Sequence, residues 1–411
     1  MGKNTNKHFD LLVIGAGAAG MMAAITAARE QKSVCVLEKL NKAGKKLLAT
    51  GNGKCNFTNA DMNPACFGGN QDFITQILES FTVKDCLEFF HSIGICPKNK
   101  NGYYYPNSEQ ASSVVYALLD EMNRLGIEIS YEIEVQEIIC NDYKVCVHTN
   151  KGVFSGKKLI IATGLKAAPK LGSDGSLFGH IKETGHRFEP ILPALCGYYC
   201  SGIPFKKAAG VRATGTVKAI IDGVCVAEDT GEIQFTDYGL SGIPVFQISR
   251  FLSKGLYKKS DVKISVNLVP EWNYTQLVEE LNYRRQIKGA QPAETLLNGF
   301  INQKLADIIL EIAAIDSRSL ISSLTDKNIN KIAELLQNIT VSVNKYRDYE
   351  FAQVCCGGIP VSDIQWDTLE SKYAPNMHFV GEIIDVDGIC GGYNLHFAWA
   401  TGYIAGKAIL K

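Results

Sequence analysis

The chain has 411 residues, 46% of them hydrophobic and 20% charged, with 42 Lys plus Arg balanced by 42 Asp plus Glu. That length exceeds one ordinary core, so two or three domains are expected, and the zero formal charge argues against nucleic acid or an anionic membrane as the main partner. No apolar run approaches the roughly 20 residues that span a bilayer, and the polar stretch from Met1 to His8 leads straight into the first strand, so no signal peptide is expected. The 13 cysteines include no CxxC and no metal-ligand spacing. Several, such as Cys35 and Cys146, sit inside apolar runs as small buried hydrophobes. These features predict a cytoplasmic protein with free thiols and no metal.

Phe9 to Ile14 is a short apolar strand, followed at once by Gly15-Ala16-Gly17-Ala18-Ala19-Gly20, an Ala-rich helix to Glu30, and a second strand, Ser33 to Leu37, that ends on Glu38. This order of strand, glycine turn, helix, strand and acid is the grip of a dinucleotide site. Gly15 allows the tight turn, Gly17 lets backbone approach a pyrophosphate, and Gly20 lets helix and strand pack closely. The helix start faces the phosphates, and Glu38, with Lys39 after it, faces the ribose hydroxyls. Residues 41 to 59 form a polar loop suited to the far side of a long cofactor. It carries Lys45, Lys46 and Lys54, the flexible Gly51 and Gly53, and the neutral donors and acceptors of Asn52, Asn56 and Thr58.

Residues 72 to 92 read as one helix, and 112 to 125 as another; the pattern between them, Asn101 to Pro106, is a turn followed by aromatics. Alternating strands are expected over 128 to 139 and 144 to 149, and a buried strand over 158 to 162, breaking at Thr163-Gly164. Short strands and turns dominate from about 190 to 270, with one helix over 245 to 256. Helical periodicity follows over 274 to 337, and one more strand over 339 to 343. The end of the chain repeats the opening grammar. A strand over 377 to 380 leads to Gly381-Glu382-Ile383-Ile384-Asp385, then Cys390-Gly391-Gly392-Tyr393-Asn394, then a helix from Leu395. A carboxylate at a strand end can hold ribityl or ribose hydroxyls, and the opening N–H groups of a helix can face a negatively polarised oxygen.

Four stretches together resemble the HI0933-like, or BaiN-like, flavoproteins, a family that includes amine (aminoacetone) oxidases and a bile-acid enone reductase. They are the Gly15 to Gly20 turn, Gly44 to Asn59, Phe235 to Ser249, and Thr368 to Gly402. The resemblance implies FAD in the dinucleotide site. It also implies an α/β Rossmann-like FAD-binding domain of three layers (1–190 and 353–411), an inserted β-rich domain (191–270 and 336–352) and a small helical subdomain (271–335). By position it places Asn52, Gly53 and Asn56 along the pyrophosphate and flavin, and Val135 backbone at the adenine. Ala162-Thr163-Gly164 would close the pocket, with Glu382 and Asp385 at the ribityl chain and Gly392 to Leu395 at the pyrimidine end of the ring. The chain departs from the family at Leu165, Tyr103 and Cys390, the last two on the expected substrate side.

An FAD oxidoreductase is therefore expected, one that reduces an activated C=C bond of a steroid-like or bile-acid-like enone with NAD(P)H. No second GxGxxG provides a nicotinamide domain, so NAD(P)H is expected to bind transiently in the substrate cleft. The alternative is an FAD oxidase of a small amine such as aminoacetone. A tRNA-acting flavoprotein is a third reading, opposed by the zero charge and the lack of a Lys–Arg run. Cys55 has no partner at redox-motif spacing, which opposes a disulfide reductase. Tyr103, Tyr238, Cys390 and His396 are the candidate catalytic residues. The expected partner is a small-molecule substrate, with no nucleic acid and no membrane, and nothing in the sequence sets an oligomeric state.

Overall fold

The computed structural model describes residues 8–409; the first seven residues of the polar lead-in and the last two residues of the chain lie outside them. The chain divides into two compact units, one ending at Leu192 and resuming at Val354, the other running from Pro193 to Gln353.

The first unit is built on a seven-stranded sheet. Its order is Glu128–Ser130, Val34–Leu37, His8–Ile14, Gly152–Ile161, Val145–Thr149, Val135–Cys140, with Met377–Phe379 joined to Gly152–Ile161. The first four strands in this order, through Gly152–Ile161, run parallel, and Leu11 to Val13 at the centre are fully buried. Strands covered on both faces read as unbroken apolar runs, which is the pattern of Leu11 to Ile14. Gly152–Ile161 changes partners along its length. Residues 152–156 pair antiparallel with Val145–Thr149, and residues 159–161 pair parallel with Met377–Phe379.

The first helix, Ala18–Arg29, lies against the last, Tyr393–Ala408. Small residues make the approach close. A Cβ on Gly402 would stand 2.5 Å from the carbonyl oxygen of Ala19, and one on Gly406 would stand 2.7 Å from that of Ala23. The single helix expected over residues 72 to 92 is two, Gln71–Ser80 and Val83–Ser92. The break has a local cause: the Thr82 hydroxyl accepts from the Asp85 N–H while the Asp85 carboxylate accepts from the Thr82 N–H, a capping box that starts a new helix. Tyr103–Pro106 is the centre of a three-stranded sheet, paired with Thr58–Asn59 on one side and with Pro97–Lys100 on the other.

The second unit is a closed six-stranded barrel in the order Tyr198–Ser201, Gly239–Ser241, Val224–Phe235, Arg212–Ile221, Val262–Asn267, Ile339–Tyr346. Closure leaves no open sheet edge. Helix Ile243–Tyr257 packs on it through Val245, Ile248 and Leu252, and Gly255 gives Ile221 and Val262 room to reach it. Between the last two barrel strands the chain forms helices Tyr274–Ile287, Gln303–Ile312 and Asp326–Gln337. Among the described residues, no helix is long and apolar enough to cross a membrane.

Candidate functional site

The first glycine turn is as tight as its spacing implies. Gly15 has φ +103°, and a Cβ there would stand 2.6 Å from the Ala162 carbonyl oxygen. A Cβ on Gly20 would stand 2.0 Å from the Gly15 oxygen and 3.1 Å from the Ala162 Cβ. Gly17 differs: it caps the first helix, and a Cβ there would meet nothing within 4 Å. The helix start, with Ala18 and Ala19 in its first turn, is thus open to a ligand while the glycines either side are packed. Glu38 is buried at the end of its strand. Its Oε2 accepts from the Ala16 N–H and its Oε1 from the Leu40 N–H, both at 2.8 Å. Each carboxylate oxygen has a second lone pair, so both stay able to accept from a diol. Lys39 is exposed and pairs with Asp174. Val135 opens a strand, opposite Thr149 and next to a bulge.

The loop over residues 41 to 59 is less exposed than its composition suggests. Lys45 and Lys46 open a short helix, Lys45–Ala49, and Gly51 and Asn52 make a left-handed turn, exposed together with Gly53. From Cys55 to Asn59 every residue is buried. Burial pushes the Cys55 thiol up to about 12, so it stays a protonated, inert thiol.

The terminal loop folds onto this one. Lys46 Nζ donates to Glu382 Oε2 at 2.6 Å, joining the two loops, and Glu382 Oε1 accepts from the Cys355 N–H at 3.0 Å. The Gly164 backbone lies beside the same carboxylate, where its Cβ would be 3.6 Å from Glu382 Oε2 and 2.8 Å from Ser173 Oγ. Gly381 sits over Ala19, at the start of the first helix, and its N–H donates to Thr401 Oγ1. Asp385 is held through its N–H on the Ile359 carbonyl. Gly392 caps the last helix, and a Cβ there would stand 2.8 Å from Thr58 backbone and 2.9 Å from Asn56 Oδ1. Tyr393, Asn394 and Leu395 form that helix's first turn. Asn394 both accepts from the Gly388 N–H and donates to its carbonyl, fixing the loop before it. Asn59 Nδ2 donates to the Gly391 carbonyl, and Trp399 Nε1 donates to the Phe57 carbonyl.

Two helix N-termini, two acids and a lysine therefore face one region of the first unit. The residues fit FAD. Gly17 leaves the helix start clear, Glu38 presents a doubly anchored acceptor, and Asn56 Oδ1 is buried with no partner in the protein, an acceptor suited to the N–H and O–H donors of the cofactor. Among the described residues, no group of three or more His, Cys, Asp or Glu is placed to hold a metal.

The four candidate catalytic residues fall in different settings. Tyr103 is 41% exposed on the central strand of the small sheet, and its ring would be 2.9 Å from a Cβ on Gly391. Cys390 is half-buried beside that glycine. His396 is a buried strut: its Nδ1 accepts from the Thr58 hydroxyl at 2.8 Å and its Nε2 donates to the Phe81 carbonyl at 3.0 Å. Both ring nitrogens are occupied, and desolvation holds the ring down to about 4, so at neutral pH its one N–H is committed to the Phe81 carbonyl and it is no general acid. Tyr238 lies in the barrel unit, its hydroxyl 3.3 Å from Arg347 Nη1. Sequence reasoning did not single out Arg347, which is stacked between the rings of Tyr238 and Phe351. It also passed over Cys66, whose sulfur adjoins the Tyr393 hydroxyl; burial, and then that contact, raise the phenol above its ordinary range.

The neutral His396 gives a pH prediction. Its folded value lies below the usual 6.5, as does that of buried His378, also about 4. Below the unfolded value the unfolded state binds more protons, so stability is full above about pH 6.5 and falls as pH drops toward about 4. The denaturant midpoint is expected to be lower at about pH 5 than at about pH 7.5, and His396→Gln is expected to narrow that difference.

Comparison with known proteins agrees with this geometry. Residues 9–408 match the family described as the HI0933-like protein Rossmann domain. The chain is 39% identical over 399 residues to the 3-dehydro-bile acid delta(4,6)-reductase of Clostridium scindens, covering 96% of this chain and 98% of that one. It is 28% identical over 417 residues to the ribosomal RNA dihydrouridine synthase of Haemophilus influenzae, covering 99% and 100%. Among solved structures, the 3-ketosteroid delta1-dehydrogenase of Sterolibacterium denitrificans shares the fold, with a TM-score of 0.52 at 12% identity over 98% of this chain and 99% of that one. The matched domain and the converging loops lead to one conclusion: the chain belongs to the HI0933-like family and is an FAD-dependent oxidoreductase.

Proposed function

We propose that the protein is an NAD(P)H-dependent reductase of a C=C bond conjugated with a carbonyl, acting in the cytoplasm on a steroid-like or bile-acid-like enone. The observation that carries this reading is the 39% identity, over nearly the whole of both chains, to a protein named for reducing a bile acid. FAD held at this site would supply the hydride chemistry that links a nicotinamide donor to the β-carbon of an enone. The chain's own part is to hold the cofactor and manage charge. Glu38 would hold the adenosine ribose and Glu382 the ribityl chain, and the positive start of the last helix at Gly392 to Leu395 would favour negative charge on the ring edge. The α-carbon then needs a proton. Tyr103, 41% exposed with its ring beside Gly391, is the candidate to supply it, with Cys390 next to that glycine in the chain, whereas the His396 N–H is committed to the Phe81 carbonyl.

A second reading has its own observation, the full-length similarity to a ribosomal RNA dihydrouridine synthase. The chemistry is shared. Uracil carries a C=C bond conjugated with a carbonyl, and dihydrouridine is its saturated form, so one cofactor arrangement serves either substrate. The two differ only in what the protein must grip.

Rapid mixing of the yellow protein with NADH or NADPH under anaerobic conditions tests the first reading. Flavin absorbance is expected to bleach within seconds and to return when a 3-oxo-Δ4 steroid is added. Bleaching by a small amine alone would instead establish the oxidase alternative. No return with the steroid, together with loss of dihydrouridine from the ribosomal RNA of a deletion strain, would establish the second reading.

A further inference from the structure

Three lysines converge on one carboxylate at the edge of the first unit. Lys98 Nζ lies 2.8 Å and Lys100 Nζ 2.6 Å from Glu109 Oε1, and Lys54 Nζ lies 3.5 Å from Oε2. Glu109 itself has φ +53°, a left-handed backbone that a non-glycine residue seldom adopts. The lysines hold its carboxyl down to about 2, so it is charged at any physiological pH. One acid against three ammonium groups leaves two positive charges uncompensated. Each ammonium has three N–H donors, so donors remain after the bonds to Glu109 are counted. Holding a hairpin closed needs one such pair, and the other two lysines carry the cost of mutual repulsion.

The position of the cluster is informative. Lys98 and Lys100 stand on the Pro97–Lys100 strand, opposite Tyr105 and Tyr103, and the next strand over is Thr58–Asn59 from the flavin-side loop. Lys54 belongs to that loop directly. Tyr103, on the same sheet, points the surface toward Gly391 and the terminal loop. Charge is thus concentrated on one small sheet beside the proposed chemistry, although the chain as a whole is neutral.

We propose that the Pro97–Pro106 hairpin, with Lys54, is the surface that grips the phosphates of an RNA strand, holding a uridine at the flavin site. The proposal rests on the ribosomal RNA reading given above. Cations clustered on one face bind phosphate backbone through counterion release, so affinity falls with salt in proportion to the phosphates neutralised.

The test uses the FAD-loaded protein and a single-stranded oligouridylate probe, with affinity measured across salt concentrations. Lys98→Gln combined with Lys100→Gln is expected to weaken binding and to make the slope of log affinity against log salt shallower by about 1.4, two phosphates' worth. Glu109→Gln removes the carboxylate that the three lysines share, so it is expected to tighten binding and steepen the slope by about 0.7. A merely structural role for Glu109 would not tighten binding. Lys98→Arg with Lys100→Arg is expected to keep the original slope. FAD content and the rate of flavin reduction by NADPH are expected to be unchanged in all of them. If the unaltered protein binds RNA and the glutamine pair leaves the slope alone, the grip lies elsewhere and only this proposal falls. If the pair instead slows reduction by NADPH, the lysines hold a nucleotide phosphate and the proposal is again overturned. If the unaltered protein does not bind the probe and a deletion strain keeps all its ribosomal dihydrouridine, the RNA reading falls and takes the proposal with it.

Discussion

Glu38→Ala is expected to yield a protein that folds but purifies with little flavin. The buried carboxylate accepts from the Ala16 and Leu40 N–H groups and keeps further lone pairs that could accept from a ribose diol. Hydrogen bonds to a charged acceptor contribute about 1.5–3 kcal/mol each. Losing two from the cofactor corresponds to a fall in FAD affinity of roughly 10²- to 10⁴-fold. The two N–H groups lose their partner as well, which loosens the glycine turn. Titration of the apoprotein with FAD, followed by fluorescence quenching, measures the change. Glu38→Gln, which keeps one acceptor oxygen, is expected to fall between the two. Equal affinity in all three proteins would show that this acid does not touch the cofactor.

Gly402→Leu is expected to have an effect at a distance. Residue 402 is on the last helix and is not itself a proposed cofactor contact, yet its Cβ would stand 2.5 Å from Ala19 oxygen and 3.0 Å from the Met22 Cβ. Backbone cannot yield there without moving the two helices apart. Overpacking of this kind costs about 1–3 kcal/mol. The larger consequence is geometric, because the start of the first helix and the loop at Gly381 are separated by the same wedge. Flavin content is expected to fall sharply, with the barrel unit still folded by circular dichroism. Gly402→Ala tests the same contact with a smaller wedge, and a milder loss is expected.

The parts of the site that were legible in the sequence are those whose constraint is local. A turn that must close within six residues, as Gly15 to Gly20 does, announces itself by glycine spacing, and the acid at Glu38 follows from the length of one strand–helix–strand unit. The break at Thr82 was also written locally, in Thr82 and Asp85, but the apolar face continues across it and the helical period masked the cap. Contacts between distant residues left no such mark. Nothing near Lys46 indicates Glu382, and nothing near Asn56 indicates that Gly392 will cover it. His396 shows the reverse error. A histidine at a helix start beside a glycine loop looks available, and only the partners Thr58 and Phe81, both more than 300 residues away, show that it is committed. Closure of the barrel was invisible for the same reason, since strand partners are chosen by the whole chain.

The central claim is that two loops from opposite ends of the sequence enclose a single cofactor. Quantifying FAD released from the purified protein by acid denaturation, against protein concentration, tests it most directly. The account predicts about one FAD per chain, with Lys46→Ala and Glu382→Ala each lowering that ratio because the ion pair between them joins the loops. A colourless protein that also fails to take up added FAD would contradict it.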